Sequence, residues 1–134
     1  MAFTAIQAQK ISYIESTRSW YYVYDENGKK IYTFSTTQGE VVAYSESFYI
    51  VKHGSWIYTY NAKGKRLHTF SESSVGEVLA ATGDTFTSRK GNWIYTRDKN
   101  GKKLNTRSAH WTPETGKSIP LNGTQSIPSN TNIY

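Results

Sequence analysis

From Trp56 to Tyr60 the chain alternates, with Trp56, Tyr58 and Tyr60 on one side of an extended backbone and Ile57 and Thr59 on the other. A period of two in aromatic and β-branched residues predicts a β-strand. Asn61-Ala62-Lys63-Gly64 then breaks the pattern. An Asx side chain first, able to bond the backbone two residues on, and a glycine last, able to take positive φ, predict a bulged hairpin turn. Strands are predicted at about 40–45, 48–52, 56–60 and 66–70, with His53-Gly54-Ser55 turning the second into the third.

The same phrase occurs three times, as WYYVYDENGKKIYTFS from Trp20, WIYTYNAKGKRLHTFS from Trp56 and WIYTRDKNGKKLNTRS from Trp93, a period of 36 to 37 residues. Aligned on the tryptophans, Tyr22, Tyr58 and Tyr95 fall in register, as do the turn residues Asp25, Asn61 and Asp98. Gly28, Gly64 and Gly101 also align, each followed by lysine. The stretch Gly39–Trp56 matches Gly76–Trp93 without a gap, and the loops TTQ and ESSV before those glycines account for the one-residue difference in period. The first copy, Thr4 to Trp20, has drifted most, with Thr17-Arg18-Ser19 in place of the glycine turn that recurs as Lys90-Gly91-Asn92.

A unit of this length cannot bury its own apolar surface and must stack on its neighbours. The chain is therefore expected to be all-β: three four-stranded antiparallel units at about 4–35, 39–71 and 76–108 within a domain spanning 1–108, followed by an extended or flexible tail over 109–134. Both faces of the third strand carry apolar bulk, as a sheet packed between two neighbouring sheets requires. On this reading Trp20, Trp56 and Trp93, with Tyr22, Tyr58 and Tyr95, are structural and lie between the sheets. Small residues suit an innermost strand, and Ala8, Ala43 and Ala80 fall there.

The run FYIVKHGSWIYTYNAKGKRLHTF, Phe48 to Phe70, resembles a β-propeller blade, most nearly the pyrroloquinoline-quinone-type repeat, and the resemblance covers about residues 4–108. It implies propeller-like blades. Where that family usually places a tryptophan after the Gly-Lys strand, this chain has Phe34, Phe70 and Arg107. No residues match a quinone site, so no cofactor is expected.

Closed propellers typically have four to eight blades. Three units in one chain leave the first and last sheets without a neighbour, and an exposed apolar face of that size calls for a cover. A homodimer closing a six-bladed ring by head-to-tail contact is the simplest expectation. An open, prism-like monomer is the alternative, as is a cover supplied by the tail, whose Trp111, Ile119, Leu121, Ile127 and Ile133 would dock it.

Composition adds a net charge of +6, eleven tyrosines and no cysteine. Disulfides and thiolate metal sites are thereby excluded. The start, MAFTAIQAQK, has neither a basic leader nor a long apolar run, so the chain reads as soluble, with the cytoplasm favoured. Basic residues cluster at the hairpin tips, as Lys29 and Lys30, then Lys63, Lys65 and Arg66, then Lys99, Lys102 and Lys103. Lysine there blocks stray strand pairing and aids solubility; the tips of the second and third units, together with Arg89, Lys90 and Arg97, are also the candidate ligand or partner surface.

Nothing amounts to a catalytic signature. His53, His68 and His110 lack metal-ligand spacing, and Pro113-Glu114-Thr115-Gly116-Lys117-Ser118 lacks the first glycine and following helix of a phosphate loop. Asp25 and Asp98 are turn residues, and the remaining acids form no recognisable pair. The expectation is a non-catalytic scaffold that binds a protein partner, with carbohydrate or nucleic-acid binding as alternatives.

Overall fold

A computed structural model describes residues 10–109, 111–112 and 117–118. The first sheet comprises β1 (Ile11–Ser16), β2 (Trp20–Asp25) and β3 (Lys30–Ser35). The second comprises β4 (Glu40–Tyr44), β5 (Phe48–His53), β6 (Trp56–Asn61) and β7 (Arg66–Ser71). The third comprises β8 (Glu77–Thr82), β9 (Thr85–Lys90), β10 (Trp93–Asp98) and β11 (Lys103–Ser108). Each sheet is an antiparallel meander in which consecutive strands pair. A short ladder follows between β12 (Trp111–Thr112) and β13 (Lys117–Ser118). The strand expected before Ile11, with Ala8, lies outside the described residues, as do His110 and most of the tail, including Ile119, Leu121, Ile127 and Ile133.

The turn chemistry accounts for the meanders. Oδ1 of Asp25, Asn61 and Asp98 each accepts two backbone N–H groups, from the residues two and four further on, at 2.9–3.0 Å. Gly28, Gly64 and Gly101 take φ of 79°, 86° and 104°, and the ladder slips by one residue just before each tip, as expected of a bulged hairpin. The connectors differ as their lengths demand. Thr36–Gln38 forms a 3-10 turn and Glu72–Val75 a single α-helical turn. Both are anchored alike: the N–H of Thr36 donates to the Ser19 carbonyl at 3.0 Å and that of Glu72 to the Ser55 carbonyl at 2.8 Å. The N–H of Ala109 repeats this contact on Asn92 at 2.7 Å.

The sheets stack as propeller-like blades. Ile11, Ile14, Tyr21, Val23 and Phe34 of the first pack on Tyr49, Val51 and Ala62 of the second. The other side of the second sheet, with Phe48, Ile50, Ile57 and Phe70, packs on Phe86 of the third, and Val75 of the helical turn joins that cluster. The middle sheet is thus covered on both faces. β4 and β8 run against each other on the inner side of the stack; Ala43 there is half-buried and Ala80 exposed.

The tryptophans correct the sequence reading. Trp20, Trp56 and Trp93 are 45%, 49% and 50% exposed, so they do not fill the space between sheets. Each opens its strand, at the sheet's end, and twisted sheets in face-to-face contact overlap best near mid-strand. Burial falls instead on the next residue along, Tyr21, Ile57 and Ile94, and on Val23 and Thr59 two further. Tyr22, Tyr58 and Tyr95 are half-buried. We expect Trp56→Ala to cost about 1–2 kcal/mol and Ile57→Ala about 3–4 kcal/mol in urea denaturation; equal losses would contradict this account.

Candidate interaction surface

The meander gives every sheet two unlike ends. At one end lie the turns His53-Gly54-Ser55 and Lys90-Gly91-Asn92 with the indoles of Trp56 and Trp93; the first sheet repeats this with Trp20. Hydrogen bonds from the connectors to Ser19, Ser55 and Asn92 fix the residue just before each indole. The structure therefore presents the three indoles at corresponding places on one rim, half-exposed. An exposed tryptophan held by an ordered turn offers a large apolar surface and one N–H donor, the combination enriched in binding hot spots.

The opposite rim carries the glycine-lysine tips. Strands of six residues separate the two rims by roughly 17–20 Å. The basic residues named from sequence are accordingly divided: Arg89 and Lys90 stand at the tryptophan end, opposite Trp93 and Ile94 in the β9–β10 ladder, and Lys63, Lys65, Arg66, Lys99, Lys102 and Lys103 at or beside the tips. No single patch gathers them.

Several of these cations are already engaged. Lys30 lies over the Tyr22 ring at 4.5 Å, Arg66 over Tyr58 at 5.6 Å and Lys103 over Tyr95 at 5.2 Å, one cation–π contact repeated in every sheet. Arg97 adds a second cation to Tyr95 at 5.0 Å. Its Nη2 donates to the Ser74 carbonyl at 3.4 Å, its Nη1 is buried, and burial lowers its pKa. Arg97 is thus part of the second junction between sheets. Lys99 is as well: its ammonium pairs with Asp84 at 3.0 Å and its carbonyl accepts from the Thr59 hydroxyl at 2.7 Å. Arg89 Nε bonds the Gly91 carbonyl at 2.9 Å. Lys63, Lys65, Lys90 and Lys102 project as exposed side chains.

Sequence reasoning missed the cation–π contacts, although the signal was present: each basic residue follows its tyrosine by a constant eight positions. It also read Gly64 and Gly101 only as turn formers. A Cβ on Gly64 would run into the Tyr32 ring, and one on Gly101 would lie 2.7 Å from the His68 ring. Each tip is therefore a seat for an aromatic side chain of the preceding sheet.

Several of the acids have structural partners. Lys52 pairs with Glu72 at 2.7 Å, tying β5 to the helical turn, and Glu15 Oε1 accepts from the Tyr24 hydroxyl at 3.0 Å. Among the described residues no three His, Cys, Asp or Glu side chains gather as a metal site would require. Clefts of about 360 and 450 Å³ lie along the two inter-sheet junctions, lined in part by Tyr21 and Val41, and by Lys52 and Val78, respectively. Neither includes an indole.

By its own sheets and junctions the chain is an all-β repeat protein of propeller-like blades. No family model matches it, so the pyrroloquinoline-quinone-type subfamily stays a resemblance. No curated protein matches it either. Among solved structures it is similar to BamB from Moraxella catarrhalis, with 11% identity and a TM-score of 0.48 over 75% of this chain. The chain spans 35% of that protein's length. No helix among the described residues is long and apolar enough to cross a membrane.

Proposed function

We propose that this chain is a non-catalytic, propeller-like scaffold that binds a protein partner through its tryptophan rim, and that two copies close a six-sheet ring. The observation that carries the binding reading is the half-exposure of Trp20, Trp56 and Trp93 at one repeated position. Internal packing does not account for those indoles, whereas it accounts for Phe34, Phe70 and Phe86. Non-catalytic is supported by the structural use made of four of the acids: Asp25 and Asp98 hold turns, and Glu72 and Asp84 are ion-paired.

The same indoles also favour a second reading, a carbohydrate stacked on a tryptophan face. Nucleic acid ranks below both, because Arg66, Arg97, Lys99 and Lys103 are committed to tyrosines or to the junction.

The test compares the full chain with a W20S/W56S/W93S variant as bait in extracts of the source cells, alongside a glycan array and a DNA column. Proteins retained by the wild type and lost at least tenfold by the variant support the protein reading. A glycan signal that vanishes in the variant moves the assignment to carbohydrate. Retention on DNA that falls steeply between 50 and 200 mM salt moves it to nucleic acid. Identical protein capture by both baits removes the tryptophan rim from the account.

A further inference from the structure

The two junctions within the chain are built from the same positions. At the first, Phe34 stacks on Tyr49 with centroids 5.1 Å apart; at the second, Phe70 meets Phe86 at 5.5 Å, and these residues are equivalent in the repeat. Tyr32 seats on Gly64 as His68 seats on Gly101. Val23 and Ala62 share the first cluster, and their counterparts Thr59 and Lys99 are bonded through hydroxyl and carbonyl at 2.7 Å. Each junction is directional, with one set of positions facing forward and another receiving.

Among the described residues, one forward set and one receiving set are left over. On the third sheet the forward positions hold Thr96, Asn105 and Arg107, the last two exposed. On the first sheet the receiving positions hold Tyr13, Glu15, Glu26 and Gly28. Tyr13 is 55% exposed, and open space surrounds Gly28 where its counterparts are covered by a ring.

These spare faces differ from the internal junctions in carrying complementary charge. Arg107 occupies the place of Phe34 and Phe70. It would therefore face Tyr13, in the place of Tyr49 and Phe86, and Glu15, in the place of Val51 and Ser88. A guanidinium over a ring beside a carboxylate is a favourable arrangement. Thr96, like Thr59, has a hydroxyl to donate, here to the Glu26 carbonyl, and Asn105 would sit on Gly28.

We propose that a second copy of this chain docks its first sheet on the third sheet of its neighbour through Arg107 against Tyr13 and Glu15, reciprocally, so that both spare junctions of the ring are charged variants of the internal ones. This rests on the ring of two chains proposed above and names the contacts that close it.

Light scattering on the full chain at tens of micromolar, in low salt, is expected to give about twice the 15.2 kDa of one chain. Arg107→Glu and Glu15→Arg, each with unchanged circular dichroism, should each raise the dissociation constant at least tenfold. An equimolar mixture of the two variants should recover the dimer, because one junction is then wild type and the other has its charges exchanged. Tyr13→Ser supplies an independent variant, expected to weaken the dimer if Glu15→Arg disturbs the sheet. A monomeric wild type overturns both the ring and these contacts. A dimer indifferent to the variants, or a mixture that stays monomeric, overturns the contacts and leaves the ring. Masses well beyond two copies overturn closure.

Discussion

Gly76→Ala is expected to lower the unfolding free energy by about 3 kcal/mol or more, one of the largest losses available to a single methyl group in this chain. Two causes add. Gly76 has φ of 80°, a conformation that costs an L-residue roughly 1–2 kcal/mol. Its Cβ would also press into the Arg89 carbonyl of β9. That obstacle is backbone within a ladder paired on both sides, so it cannot swing away as a side chain tip does. Gly39 occupies the matching place, with φ of 134° and the Lys52 carbonyl oxygen 2.5 Å from an added Cβ, and Gly39→Ala should behave alike. Gly91→Ala is the control, since its φ is 61° but nothing lies within 4 Å. It should cost only about 1 kcal/mol. Urea denaturation decides the matter: similar midpoints for Gly76→Ala and Gly91→Ala would remove the close backbone approach as a cause.

Phe70→Ala is expected to cost about 3–5 kcal/mol and to loosen the third sheet from the second. Phe70 is buried, with its ring against Phe86 at 5.5 Å and His68 at 4.5 Å. The cavity would open at the junction itself. In a stacked repeat, stability combines the units with the interfaces between neighbours, so a weakened interface uncouples them. Hydrogen exchange should therefore quicken across β8–β11 by a larger factor than across β1–β3, whereas Phe34→Ala should reverse that order. Uniform acceleration in both variants would mean that the junctions are not separable elements.

The repeat was legible in the sequence because each of its signals is local. Asp25, Asn61 and Asp98 announce a tip, the glycine three residues later closes it, and alternation marks the flanking strands; the ends predicted for 40–45, 48–52, 56–60 and 66–70 each fall within one residue of those observed. What period two does not reveal is which part of a face another sheet covers. Trp56 and Tyr58 share a side with Tyr60, yet only the contact between sheets determines that the indole is left outside while Tyr49 and Val51 are sealed within. Gly39 and Gly76 could be aligned from sequence, but their role depends on a carbonyl thirteen positions further along the chain, brought against them by the folded sheet. The candidate surface was harder still. Arg89 and Lys99 are near neighbours along the chain and stand toward opposite ends of β10.

Because the carbonyls of Ser19, Ser55 and Asn92 each receive the N–H that ends the sheet before the next connector, three residues or four can follow without disturbing either blade. The seam is indifferent to length at that spot. Duplicating one period of the chain would thus deliver a finished layer with both mating surfaces already shaped, and lineages could lengthen the stack without inventing a new interface.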